Sequence, residues 1–104
     1  MTQRESRLSS KILLKFQHMQ VFAFKVVAHD GQMSGLPDIL ACVDGQFVGF
    51  EVKLPEYRTR VSLRQHLVHE RIERSGGRVF VVSSVREAEY LVNELKGYAS
   101  PPKA

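Results

Sequence analysis

The chain's pattern predicts an α/β domain: a mixed four-stranded sheet with flanking helices, in the order αβββαβα. Three observations carry it. Leu8, Ile12, Phe16 and Met19 are spaced four, four and three apart, an apolar stripe at helical period. Four later runs are rich in β-branched and aromatic residues, as strands require. Between two of those runs sits Asp44-Gly45, a strong signal for a two-residue hairpin turn. The late strand–helix–strand succession then demands a parallel crossover beside an antiparallel meander, so the sheet is mixed.

In order, Arg4 to Met19 is predicted to be the first helix. Val21 to Val27 follows as a strand, and Ala28 to Leu36 as a loop broken by Gly31 and Gly35. Pro37 to Val43 and Gln46 to Lys53 form the hairpin. Leu54 to Val61 is a basic loop containing Pro55. Ser62, with Gln65 three residues on, reads as a capping box opening a second helix that ends near Gly76-Gly77. Arg78 to Ser83 is almost wholly apolar and is expected to be a buried strand. Ser84 and Glu87 give a second capping box, for a last helix reaching about Lys96 with Tyr90, Leu91 and Leu95 as core positions.

The chain has 104 residues. That length suits one domain, expected over residues 1–98 with a flexible tail at 99–104. Hydrophobic residues are 43% and charged residues 25%, which excludes a disordered chain. The lone Cys42 excludes an internal disulfide framework and a cysteine-built zinc knuckle. No apolar run approaches the roughly 20 residues of a membrane span, and no signal-type core follows the charged start, so a cytoplasmic location is expected.

The net charge of +4 is unevenly placed. Residues 1–25 and 52–65 carry +7 between them and the remainder −3. On a helical wheel Arg4, Arg7, Lys11, Lys15 and His18 share one flank beside the apolar stripe. The loop after the hairpin and the start of the next helix add Arg58, Arg60 and Arg64. Segregated positive charge suits a polyanion such as nucleic acid.

Three acids stand where the fold gains nothing from them. If Asp44 and Gly45 are the central turn residues, Val43 faces Gln46, and counting outward brings Asp38 opposite Glu51. Directly opposed side chains have Cβ atoms roughly 4.5–5.5 Å apart, where two acids repel. Strand alternation puts Lys53 on the face of Glu51. On the first helix Glu5 falls within the apolar arc, although an acid in a first turn also complements the helix dipole. A hard divalent cation held by Asp38 and Glu51, with Glu5 approaching from the helix, accounts for all three. Oxygen-only donors favour magnesium or manganese.

Gly35-Leu36-Pro37-Asp38 followed by Glu51-Val52-Lys53 resembles the signature of the PD-(D/E)XK nucleases. The αβββαβ succession is that of the restriction-endonuclease-like core. Small size and the following Arg58-x-Arg60-x-Ser62-x-x-Gln65 are similar to the virus-type replication-repair nuclease branch, VRR-NUC, in its stand-alone form. The resemblance implies that Asp38 and Glu51 bind metal, that Lys53 orients water and balances charge, and that Glu5 is the helix-one acid. Gln65 matches a helix glutamine of the branch, and Ser34 and Arg60 become phosphate contacts. It further implies a Mg²⁺- or Mn²⁺-dependent DNA endonuclease leaving 5′-phosphate and 3′-hydroxyl ends. The expected substrate is branched DNA, specifically a four-way Holliday junction cut by a homodimer. A flap or single-strand-junction nuclease is the alternative within the enzyme class, and a non-catalytic DNA-binding module the alternative outside it.

Other candidates have simpler explanations. His66 and His69, with Glu70, do not make a zinc-protease helix motif, and read as exposed or half-buried structural histidines. Cys42 shares the face of Asp38 and reads as a small buried hydrophobe. Tyr57 either stacks on a base or fills its loop.

Overall fold

The structure, a computed structural model, describes residues 1–97; the expected flexible tail at 99–104 lies outside the described residues. Helix α1 spans Gln3–His18, and strands β1, β2 and β3 span Phe22–Lys25, Ile39–Val43 and Gln46–Val52. A single 3₁₀ turn, Pro55–Tyr57, interrupts the basic loop. Helix α2 is Leu63–Arg74, β4 is Arg78–Val82 and α3 is Val85–Leu95. The sheet order is β1-β2-β3-β4, antiparallel except for the parallel β3–β4 pair, so it is mixed as the sequence implies.

The hairpin register is the one counted from the turn. Val43 pairs with Gln46 and Ile39 with Phe50. Asp44 and Gly45 have φ of 49° and 81°, both left-handed as a type I′ turn requires. Alternation sorts the side chains onto two faces. Ile39, Ala41, Val43, Val48, Phe50, Val52 and Val82 point to the face covered by α1 and α3, where they join Ile12, Phe16, Ala88 and Val92. The Phe16 and Phe50 rings lie 4.9 Å apart at the centre of this layer. On the opposite face α2 packs over β4 and leaves β1 and β2 bare. Phe22, Phe24 and Phe47 are exposed there, at 72%, 47% and 47%.

Several local expectations are corrected. The strands are shorter than their apolar runs: β1 omits Val21, Val26 and Val27, and β2 begins after Asp38. β4 is not a buried strand, because it forms the sheet edge and only Val82 is enclosed. Tyr90 is exposed at 57%, whereas Leu91 and Leu95 do pack on the core. Cys42 lies on the bare face and is exposed rather than buried. At α3 only half of the expected capping box forms. Ser84 accepts from the Glu87 amide, but the Glu87 carboxylate takes the Ser83 amide and Arg58 instead.

Phe50 is fully enclosed and lies next to Glu51 in β3, so its packing sets the strand that carries the site. Phe50→Ala should destabilise the chain by about 3–5 kcal/mol. Urea unfolding followed by circular dichroism should show a lower midpoint with an unchanged slope.

Candidate active site

At the end of the hairpin away from its turn, a cavity of about 130 Å³ is lined by Met1, Glu5, Asp38, Glu51, Val52, Lys53 and Gln65. Five side chains singled out in the sequence, Glu5, Asp38, Glu51, Lys53 and Gln65, therefore meet at one place, although they come from four parts of the chain.

Asp38 sits one residue before β2, where its carboxylate accepts from the Val52 amide at 2.7 Å and its carbonyl from the Val26 amide at 2.8 Å. Both bonds tie it to the strands on either side. Pro37 ahead of it rests over Gly49, where any side chain would meet the ring: a Cβ would lie 2.5 Å from Pro37 Cγ. Gly35 has φ of 85°, and a Cβ there would lie 2.8 Å from the Arg64 carbonyl oxygen. The loop thus presses against α2, and Arg64 Nε donates to Ser34 Oγ at 2.9 Å.

Glu51 is 1% exposed, in β3 on the α2 face. Its Oε2 accepts from Gln65 Nε2 at 3.1 Å, and Lys53 Nζ lies 3.8 Å from the same oxygen. Burial, reinforced by the Asp38 carboxyl beside it, pushes the Glu51 pKa up to about 8, with Lys53 opposing. Gln65 has two roles at once. Its Oε1 accepts from the Ser62 amide at 2.9 Å, completing the capping box, while its Nε2 serves Glu51. The amide has a donor end and an acceptor end, so cap and site do not compete for it.

Glu5 is likewise a capping residue. Thr2 caps α1, accepting from the Glu5 amide, and the Glu5 carboxylate accepts from the Thr2 amide at 3.1 Å. The Thr2-x-x-Glu5 signal was in the sequence and places Glu5 at the cavity by fixing the first turn. His69, expected from the sequence to be only a structural histidine, stands beside the site. Its Nε2 stands 3.6 Å from Glu51 Oε1, and a one-turn offset from Gln65 is the only hint.

The basic residues divide into two groups. Lys15 pairs with Glu89 at 3.3 Å, and Arg4 with Glu56 at 3.0 Å. Arg58 is held by Glu87, Ser83 and the Val81 carbonyl, and Glu87 raises its pKa further. These charges are largely answered within the fold. Arg7 and Lys11 are exposed on α1 without an ion pair among the described residues, and Arg60 lies over the Tyr57 ring at 4.7 Å. Tyr57 is therefore already stacked by a neighbour.

Since Glu51 binds a proton in the folded chain that the unfolded chain, at its ordinary 4.5, has released, stability should fall as pH rises between about 5 and 8. The contribution is complete below the unfolded value and gone above the folded one. Urea midpoints across this range should decline more steeply for the wild type than for Glu51→Gln, which has no proton to lose.

No protein-family model matches the chain, and no curated protein is significantly similar to it in sequence. A solved structure described as a VRR_NUC domain does match, with a TM-score of 0.70 and 28% identity, over 88% of this chain and 97% of that one. The match covers most of the chain, and it agrees with the motif and the topology. In fold, topology and site motif the chain is similar to the VRR-NUC nucleases.

Proposed function

We propose that this domain is a metal-dependent, structure-specific DNA endonuclease that works as a homodimer on four-way junctions. The observation that carries the proposal is the convergence of Glu5, Asp38, Glu51, Lys53 and Gln65 on one cavity.

The donors fit magnesium or manganese. All are oxygens, and Glu51 Oε1 is buried with no hydrogen-bond partner, leaving an acceptor for a cation. Among the described residues no three His, Cys, Asp or Glu side chains form a ready-made cage. Magnesium does not need one, since it keeps several waters and binds through one or two carboxylates and substrate phosphate. Asp38 and Glu51 would hold the ion, with Glu5 at the cavity margin. When bound, it would supply Lewis-acid stabilisation of the phosphate and a lowered pKa for the attacking water.

The chain's own groups do the rest. Asp38 is fixed by the Val52 amide and Glu51 by Gln65, so both carboxylates meet the substrate already oriented. Lys53, only 16% exposed at its side chain, directs an ammonium into the same cavity. There it would orient the attacking water or a non-bridging oxygen and offset charge as the in-line transition state forms. The products would be 5′-phosphate and 3′-hydroxyl ends. Arg7, Lys11, Arg60, Ser34 and Arg64 remain as phosphate contacts outside the cavity, suited to reading backbone and shape rather than bases. Lys15, Arg4 and Arg58 would have to give up internal partners to join them.

The bare sheet face supports the dimer. Phe22, Phe24, Leu40, Ala41, Cys42 and Phe47 line an apolar hollow of about 130 Å³ with no charged side chain among them. A chain of net charge +4 meets a second copy of itself with least repulsion at such an uncharged surface. A twofold axis there would give two carboxylate sites, matching the paired cuts of a four-way junction.

Two outcomes are expected. Asp38→Asn and Lys53→Ala should each lower junction cleavage in Mg²⁺ by at least about 100-fold while gel-shift affinity stays near wild type. Gln65→Glu, which keeps the cap acceptor but opposes Glu51, should lose cleavage without losing the helix. Wild-type cleavage by Asp38→Asn would mean that the acids are structural. Separately, Phe22→Glu should convert a dimer into a monomer in sedimentation at micromolar concentration and abolish paired cuts. A wild-type monomer that cuts flaps and spares junctions would shift the substrate to single-strand junctions.

A further inference from the structure

On the α2 face two enclosed polar atoms look at one another without a hydrogen bond. Glu51 Oε1 and His69 Nε2 are both buried and unpartnered, and they lie 3.6 Å apart. Their side chains are 2% and 12% exposed. Buried polar atoms are nearly always paired, so two orphans at this separation call for a reason.

The helix supplies one. His69 follows Gln65 by four residues, so both project from the same side of α2, one turn apart. Gln65 donates to Oε2 of Glu51, and His69 faces Oε1. One helix therefore addresses both oxygens of a single carboxylate, with one side chain for each. Burial, with His66 nearby, lowers the proton affinity of His69 below that of an ordinary histidine. A neutral imidazole has a single N–H to give, and a carboxylate oxygen has two lone pairs, so accepting from His69 leaves Oε1 able to meet a cation.

We propose that His69 is a positioning residue: its Nε2–H tautomer donates to Glu51 Oε1 and, with Gln65 on Oε2, fixes the orientation of the carboxylate beside Asp38. The consequence for metal binding rests on the nuclease reading; the tautomer and the contact do not. Donors that orient a metal-binding side chain typically contribute 10–100-fold to metal affinity or activity. His69 touches neither metal nor substrate and acts through Glu51.

Two measurements on the full chain decide the matter. Nitrogen-15 shifts of the imidazoles, taken without metal at one alkaline pH, should show His69 neutral and protonated at Nε2. An Nδ1-protonated ring would overturn the proposal. Manganese titration followed by electron paramagnetic resonance, at the same pH, should show His69→Leu binding about 10–100-fold more weakly than wild type. His69→Gln, whose amide is a donor of similar reach, should restore affinity to within a few-fold. Wild-type affinity in His69→Leu, or a His69→Gln as weak as His69→Leu, would reduce His69 to packing. Thermal melts establish that each variant folds, and His69→Ala replaces His69→Leu under the same criterion if the latter does not. A wild type that binds no Mn²⁺ would remove the metal reading, while the tautomer would still decide the positioning role.

Discussion

A two-residue turn governs this structure. Strand side chains alternate, so a slip of one residue in the β2–β3 hairpin would turn every side chain of one strand to the other face. With Asp44 and Gly45 as the turn, Val48, Phe50 and Val52 enter the core while Glu51 faces α2. The same register brings Asp38 beside the end of β3, where its carboxylate takes the Val52 amide. Core and cavity are thus two results of one pairing choice. No other register buries the apolar side of β3 and keeps the two acids together.

The cost of that arrangement is concentrated in Glu51. An enclosed carboxyl beside a second acid resists ionisation, and a single lysine nitrogen 3.8 Å away offsets only part of that resistance. The fold tolerates it because the apolar layer is complete on the other side, where Ile12, Phe16, Ile39, Val48 and Phe50 are fully enclosed. Stability comes from the α1–α3 face, and the α2 face carries the groups that oppose it. Such a division is common where a site needs charge in a place that packing alone would leave apolar.

Much of this was legible in the sequence, for local reasons. The turn chemistry of Asp44-Gly45 set the register, and counting from it gave the Asp38–Glu51 neighbourhood. The Ser62-x-x-Gln65 spacing announced the cap. What escaped was set by tertiary placement. Whether β4 is central or at an edge is not written in its apolar run, and nothing local to Tyr90 or Cys42 says that the core stops short of them. Lys15 and Arg58 looked like free cations because their partners, Glu89 and Glu87, lie far along the chain. His69 escaped because its spacing from Gln65 gains meaning only once α2 is laid across β3. Thr2-x-x-Glu5 is a capping spacing of the same kind as Ser62-x-x-Gln65, and it accounts for Glu5 better than its helical-wheel position does.

The double engagement of Gln65 links the integrity of a helix end to the order of a carboxylate some distance along the chain. Helix termini open and close more readily than helix centres. Here, unwinding the first turn of α2 would withdraw the amide that Glu51 Oε2 accepts from, so a local opening at Ser62–Gln65 would also loosen the carboxylate. The loop just before Ser62 is basic, at Arg58 and Arg60, and a polyanion laid along it would act on that equilibrium directly. Contact at that loop and the order of the carboxylate would then be coupled through Gln65, without any movement of the sheet.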